Sequence, residues 1–323
     1  IIYKERCRAL YSIRTGLALE ALEAASEAAQ VEGVASEEIK ADTTTVTRIS
    51  VTSDDGAKRL GRPKGTYITV EIEHMASGDA KELEEAVRLI GDELKKLVAL
   101  NDGDVVLVCG VGNYNITPDS LGPLVINNVV VTRHLRENMP DLFDKSGLRE
   151  VAAIAPGVLG QTGVEAAEIV KGVVERVRPA AVFVIDSLAS RKMRRLATTV
   201  QLSDSGLTPG GGIGNRRAEI SKDTLGVPVV AIGVPTVVDA ATLACDVMEE
   251  TGKLFPGAPG GGMPEEEKYR LIRDALTPYD LNLIVTPKDI DAIVRAAART
   301  VGFAINRALQ GDMSIEDMTK LLA

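Results

Sequence analysis

The stretch Ala180-Ala-Val-Phe-Val-Ile-Asp186-Ser-Leu-Ala-Ser-Arg191 decides the fold. Its β-branched and aromatic residues, bounded by Pro179 and Asp186, read as a strand buried on both faces, the form strands take in parallel α/β sheets. Asp186 then stands at the strand's C-terminal end, the edge of an open α/β sheet where the outgoing loops form a crevice for ligands. Asp104-Val-Val-Leu-Val-Cys-Gly-Val-Gly-Asn113 repeats the pattern, and Ile116-Thr-Pro-Asp119-Ser-Leu-Gly-Pro123 adds a second carboxylate at the start of a helix. Two strand-end aspartates suggest paired-carboxylate chemistry. Neighbouring like charges do not both ionise cheaply, so one group is ionised and the other protonated. Such a pair activates water and protonates a leaving amine. Helix capping is the competing reading for either aspartate.

Around these two runs, strands and helices alternate. Strands are expected over Asp104–Gly110, Val151–Ala155, Gly226–Gly233 and Leu281–Thr286, with helices near Ser120–Arg136, Val164–Val177, 290–309 and 314–322. That alternation, with Gly and Pro at the strand exits, predicts an α/β fold of three layers, a largely parallel or mixed central sheet with helices on both faces. Upstream, the alternating segments Thr44–Val51 and Thr66–Glu73, joined by a Gly-rich turn at Gly61-Arg-Pro-Lys-Gly65, predict a small N-terminal antiparallel strand pair. Leu83, Val87, Leu94, Leu97 and Val98 mark an amphipathic helix over residues 80–100, and Leu17–Ala25 is rich in strong helix formers. Tyr11–Glu20 reads as extended and accessible at its start, and Pro256–Gly262 as an exposed loop.

The composition narrows the function. A chain of 323 residues with 45% hydrophobic residues builds a sizeable core, and no apolar run approaches the roughly 18 residues of a membrane span. The formal charge of −9 argues against a nucleic-acid surface. Cys7, Cys109 and Cys245 have no C-x-x-C spacing, so neither a disulfide framework nor a zinc site is indicated, and a reducing cytoplasm is the expected setting. With His74 and His134 alone, no multi-histidine metal set is available. Neither a metal nor another cofactor is expected. The glycine-rich segment Thr208-Pro-Gly210-Gly211-Gly212-Ile-Gly214-Asn215 matches no phosphate-loop pattern; it reads as a tight active-site loop whose N–H groups bind a developing oxyanion.

Seven motifs, in order, resemble the germination proteases of spore-forming bacteria: Thr117-Pro-Asp-Ser-Leu-Gly-Pro123, Thr132-Arg-His-Leu135, Ala155-Pro-Gly-Val-Leu-Gly-Gln-Thr-Gly163, Ile185-Asp-Ser-Leu-Ala-Ser-Arg191, Ser203-Asp-Ser-Gly206, Pro209-Gly-Gly-Gly-Ile-Gly-Asn215 and Gly233-Val-Pro-Thr-Val-Val-Asp239. The resemblance runs from about residue 12 to about residue 309. It implies a fold similar to the hydrogenase-maturation proteases and an endopeptidase that degrades small, acid-soluble spore proteins at germination. It also implies a homotetramer in the cytoplasm of the forespore or spore core, made as a self-processing zymogen. The motif-matched catalytic aspartates are Asp119 and Asp186. The self-cleavage segment resembles Tyr11–Glu20, which sets the scissile bond between Gly16 and Leu17, with Gly16 where the family pattern has an acidic residue. The division that follows is a propeptide, residues 1–16, and a single α/β protease domain, residues 17–323. Two alternatives stand beside this reading: a metal-dependent maturation-type protease, with the same aspartates as ligands, and a non-catalytic peptide-binding protein of the same fold.

Overall fold

A computed structural model describes residues 15–26, 32–76, 79–210, 217–255, 263–276, 283–311 and 313–322. Its centre is a nine-stranded sheet: β1 (Val34–Lys40), β2 (Thr44–Val51), β3 (Gly65–Ile72), β4 (Val106–Gly110), β5 (Val151–Ile154), β6 (Ala181–Ser190), β7 (Thr199–Ser203), β8 (Val229–Asp239) and β9 (Ile284–Val285). The spatial order is β1-β2-β3-β7-β8-β6-β4-β5, with β9 on β8. The pairings of β5, β4, β6 and β8 are parallel. Those through β7, β3, β2 and β1 are antiparallel. The fold is α/β with a mixed sheet between helices. The expected N-terminal strand pair is present and antiparallel, and it continues the main sheet through β3 and β7.

One face carries the larger core. Phe183, Ile185, Ile232, Leu202 and Ile68 point to the helices Ala80–Leu97, Leu121–Ile126 and Ile290–Gln310. The other face is covered at its two ends. Over the parallel strands, Val182, Val184, Cys109 and Ala231 meet Val170 and Val174 of the helix Ala166–Val177. Over the antiparallel strands, Ile49, Val51 and Tyr67 meet Ala18 and Leu60 of the helices Ala18–Ser26 and Asp54–Leu60. Because side chains alternate along a strand, Asp186 follows Val182 and Val184 onto this second face, in line with Gly233 and Gln201 of the neighbouring strands.

Several boundaries differ from the sequence reading, each for a tertiary reason. The helix expected over Ser120–Arg136 is two helices, Leu121–Ile126 and Arg133–Asn138. The break is held by buried Asn306, whose side chain accepts from Val130 N–H at 2.8 Å and donates to the Asn128 carbonyl at 2.8 Å. β8 does not stop at Gly233 but passes Pro235 to Asp239. Proline has no N–H for a ladder, and the β6–β8 register shifts beside it, between Leu188 and Ala189. Ahead of the predicted turn at Gly61–Gly65, where the sequence reading assigned no element, stands the helix Asp54–Leu60, with Ser53 accepting from Gly56 N–H as its N-cap. Residues 256–262 lie outside the described residues. No helix among those described is long and apolar enough to cross a membrane.

Candidate active site

The site begins where β4 ends. Gly110 is β4's last residue and pairs with Ile185, and Val111 N–H then donates to the Ile185 carbonyl at 2.8 Å. β6 runs on with β8 as its partner through Ser190. Asp186 therefore lies inside β6, not at its end as the sequence indicates: the polarity of Asp186 marks the edge of β4's neighbourhood, while β8 keeps supplying ladder partners. In open α/β sheets ligands bind beyond the carboxyl ends of the strands, and β4 ends here.

Asp119 is brought there by close backbone packing. It ends the 3-10 turn Thr117–Asp119. Gly112 has φ +124°, and a Cβ on it would meet the Asp119 carbonyl oxygen at 2.1 Å. A Cβ on Gly122 would meet the Val111 carbonyl oxygen at 2.1 Å. Glycine at both positions lets the turn fold flat onto the strand exit. The Asp119 side chain accepts from Asn113 N–H at 2.8 Å, and Asn113 Oδ1 in turn accepts from Gln161 Nε2 at 2.6 Å. Ser120, not Asp119, is the N-cap of the helix Leu121–Ile126, so the capping reading fails for Asp119. Asp186, within a strand, caps nothing either.

The two carboxyls differ in environment. Asp186 is 4% exposed, and Asp119 is half-buried. Asp186 accepts from Ser187 N–H at 2.9 Å and Gly210 N–H at 3.4 Å. Burial first, and then the nearby charge of Asp119, push the Asp186 carboxyl up to about 7 against those two donors. Burial also raises Asp119, opposed by the Asn113 N–H. Asp119 thus acts on Asp186 as a neighbouring negative charge, and the buried Asp186 carboxyl holds its proton to a higher pH than an ordinary aspartate does. Burial and the charge of Asp186 push the Cys109 thiol up, so it is a buried small residue in the core and no nucleophile.

Of the predicted oxyanion loop, Gly210 is described; Gly211, Gly212, Gly214 and Asn215 lie outside the described residues. The Gly210 N–H is directed at Asp186. Residues 1–14 of the expected propeptide also lie outside. Gly16 and Leu17 are buried, on the Asp186 face of the sheet: a Cβ on Gly16 would come 2.8 Å from Leu188 Cβ. The accessible start expected for this segment, residues 11–14, lies outside the described residues. Sequence reasoning did not single out Asn113, Gln161 or Gln201. The first two lie inside quoted stretches, and Gln201 is the long amide among the polar positions Thr199, Gln201 and Ser203 of β7, a strand whose sequence alternates polar and apolar residues yet is buried throughout.

A mixed α/β sheet with a buried carboxyl, pushed up by burial and by a second carboxyl close to where β4 ends, defines a class of candidate acid–base sites. Comparison narrows that class. The germination protease family profile matches residues 16–258 and 250–321. Germination proteases of Caldanaerobacter subterraneus subsp. tengcongensis and Clostridium perfringens are 44% and 41% identical, covering 96% and 97% of this chain and 98% and 100% of their own. That of Priestia megaterium is 36% identical over 97% of this chain and 98% of its own. This chain belongs to the germination protease family, a family of spore peptidases. Among solved structures, the NiFe hydrogenase maturation protease HycI of Thermococcus kodakarensis KOD1 aligns with 66% of this chain and 99% of its own. It does so at 14% identity and a TM-score of 0.34, a likeness that carries no argument about chemistry.

Proposed function

We propose that this chain is a paired-aspartate endopeptidase that cuts small, acid-soluble spore proteins in the spore core, works as a homotetramer, and is made as a zymogen that processes itself at Gly16–Leu17. Family membership supports the peptidase activity. The observation that carries the mechanism is the Asp186 carboxyl, pushed up to about 7 by burial and by the charge of Asp119.

Asp119, ionised, takes a proton from a water held between the two carboxyls as the water oxygen bonds to the peptide carbonyl carbon. Asp186 gives its proton to the amide nitrogen as the carbon–nitrogen bond breaks. Asp119 is then protonated and Asp186 ionised, and transfer of the proton back through the pair restores the resting state. The Asn113 N–H holds Asp119 in position, and the Ser187 and Gly210 N–H groups hold Asp186.

Mass spectrometry of a small acid-soluble spore protein incubated with this chain, with its Asp186→Asn variant and with a chelator is the direct test. A discrete cut, lost in the variant and indifferent to chelator, is the expected result. Loss of the cut on adding chelator would favour the metal-dependent reading, and binding without any cut in either trimmed or untrimmed chain would favour the peptide-binding reading.

A further inference from the structure

Residues 15–18 lie against the sheet as a bound peptide would. Gly16 N–H donates to the Ala189 carbonyl at 2.7 Å. The Gly16 carbonyl oxygen accepts from Gln201 Nε2 at 2.9 Å, and Gln201 Oε1 accepts from Ala18 N–H. Both ends of a 9% exposed primary amide are therefore turned to the backbone of this segment, one on each side of the Gly16–Leu17 bond. Such a grip reads main chain and disregards side chains.

The grip lies beside the carboxyl pair. Asp186, Gly233 and Gln201 are register partners on three adjacent strands, so Gln201 lies about 10 Å from Asp186 at the usual spacing of about 4.8 Å per strand. Gly233, in the middle of that row, has no side chain, and Leu188 leans over it: a Cβ there would meet Leu188 Cδ1 at 2.4 Å. Gly16 rests on the same Leu188. Leu188 is two residues along β6 from Asp186 on one face, about 7 Å at roughly 3.3 Å per residue. The Gly16 carbonyl thus lies at Gln201 and beside Leu188, on the face of the sheet that Asp186 shares.

We propose that Gln201 is a further catalytic residue for peptide cleavage, its side-chain N–H donating to the carbonyl oxygen of the residue before the cut. As water adds to that carbonyl carbon, the carbon–oxygen π pair moves onto the oxygen, and the Gln201 N–H stabilises the charge that builds there. Collapse returns the pair, breaks the bond to the Leu17 nitrogen, and that nitrogen takes the proton of Asp186. The inference rests on the reading that the carboxyl pair hydrolyses Gly16–Leu17.

The experiment follows trimming of the full chain to Leu17 by intact-mass spectrometry across pH, for wild type, Gln201→Met, Gln201→Glu and Asp186→Asn, with unfolding temperature measured in parallel. Gln201→Met keeps the length and removes the donor; it is expected to trim about 100-fold more slowly at every pH, the usual loss for one oxyanion donor. Gln201→Glu keeps the acceptor for Ala18 N–H and regains a donor only when its carboxyl is protonated. It should be as slow as Gln201→Met near neutral pH and recover towards wild type as the pH falls, which a merely structural role would not produce. Wild-type trimming by either variant near neutral pH, or Gln201→Glu tracking Gln201→Met at all pH values, overturns the role of Gln201 and leaves the carboxyl pair standing. A wild-type chain never cut at Gly16–Leu17, or cut equally by Asp186→Asn, overturns the underlying reading and the inference with it.

Discussion

Asp186 and Glu20 are 4% and 0% exposed, and the two carboxyls serve the outer half of β6 from within the strand and from just beyond it. Burial is the first cause of a raised carboxyl in both, but the surroundings oppose it to different degrees. Glu20 accepts from the Thr15 hydroxyl and from the N–H groups of Arg191 and Lys192 at 2.6 and 2.8 Å, with Arg195 Nη1 3.8 Å away. Arg195, itself 2% exposed, is shared with Glu23 at 2.6 Å and Glu71 at 3.0 Å. Among the described residues, Asp186 has two N–H donors, one of them long, and its charged neighbour is a second carboxylate. The first arrangement ties the helix Ala18–Ser26 to the end of β6. The second leaves a carboxyl poised to exchange its proton. Buried acids become reactive when the surroundings withhold compensation, and structural when they supply it.

The contrast is broken most severely at the pair. Asp186→Asn and Asp119→Asn should each lower peptide turnover by about 10²–10⁴-fold, the span of general acid–base assistance, with circular dichroism unchanged; near-normal cleavage by both would remove the mechanism. At the other carboxyl the same kind of change should damage the fold. Glu20→Ala leaves a buried N–H group, that of Arg191, and a part-buried one, that of Lys192, without their acceptor and Arg195 with fewer partners, at a cost of about 2–4 kcal/mol in urea unfolding. A loss under about 1 kcal/mol would show that the network carries little of the stability.

Stability should move in the opposite direction at Asp186. Its folded pKa of about 7 lies above the unfolded value of about 3.9. Its contribution is thus fully present below about pH 4 and lost as pH rises to about 7. Asp186→Asn, which never ionises, should therefore be more stable than wild type by roughly 2–4 kcal/mol near pH 8. The gain should shrink steadily towards pH 4, as read by urea unfolding at several pH values. The same titration sets activity: kcat/KM should fall above about pH 7 as Asp186 loses its proton, and a level profile from about pH 5 to about pH 9 would contradict its role as the acid. The smallest effect is expected one step out. Gln161→Ala removes the bond to Asn113 Oδ1 and should cost about 0.5–1 kcal/mol with a few-fold loss of turnover.

The fold was legible where burial is two-sided. β4, β5 and the first half of β6 are unbroken apolar runs, and those of β4 and β6 are buried throughout. β1 was not legible: Val-Ala-Ser-Glu-Glu-Ile-Lys, over residues 34–40, is exposed along nearly its whole length, and it is a strand because β2 offers it a ladder. The outer half of β6 and the Pro235 region of β8 were hidden in the same way, since each continues on the other's hydrogen bonds.

The sequence by itself determined the α/β alternation and the family. It also singled out Asp119 and Asp186, because buried runs, turn glycines and polar residues at strand exits are written locally in residue type. Only the tertiary structure decided that Asp119 folds back over Gly112 beside Asp186, that Gln201 grips the backbone on either side of the Gly16–Leu17 bond and lies across Gly233 from Asp186, and that Glu20 accepts from Arg191 and Lys192 beside Arg195. Those relations join residues far apart in the chain. The proton affinity of a carboxyl depends on distance to other charges and on exclusion of water, neither of which exists until the sheet has closed around it.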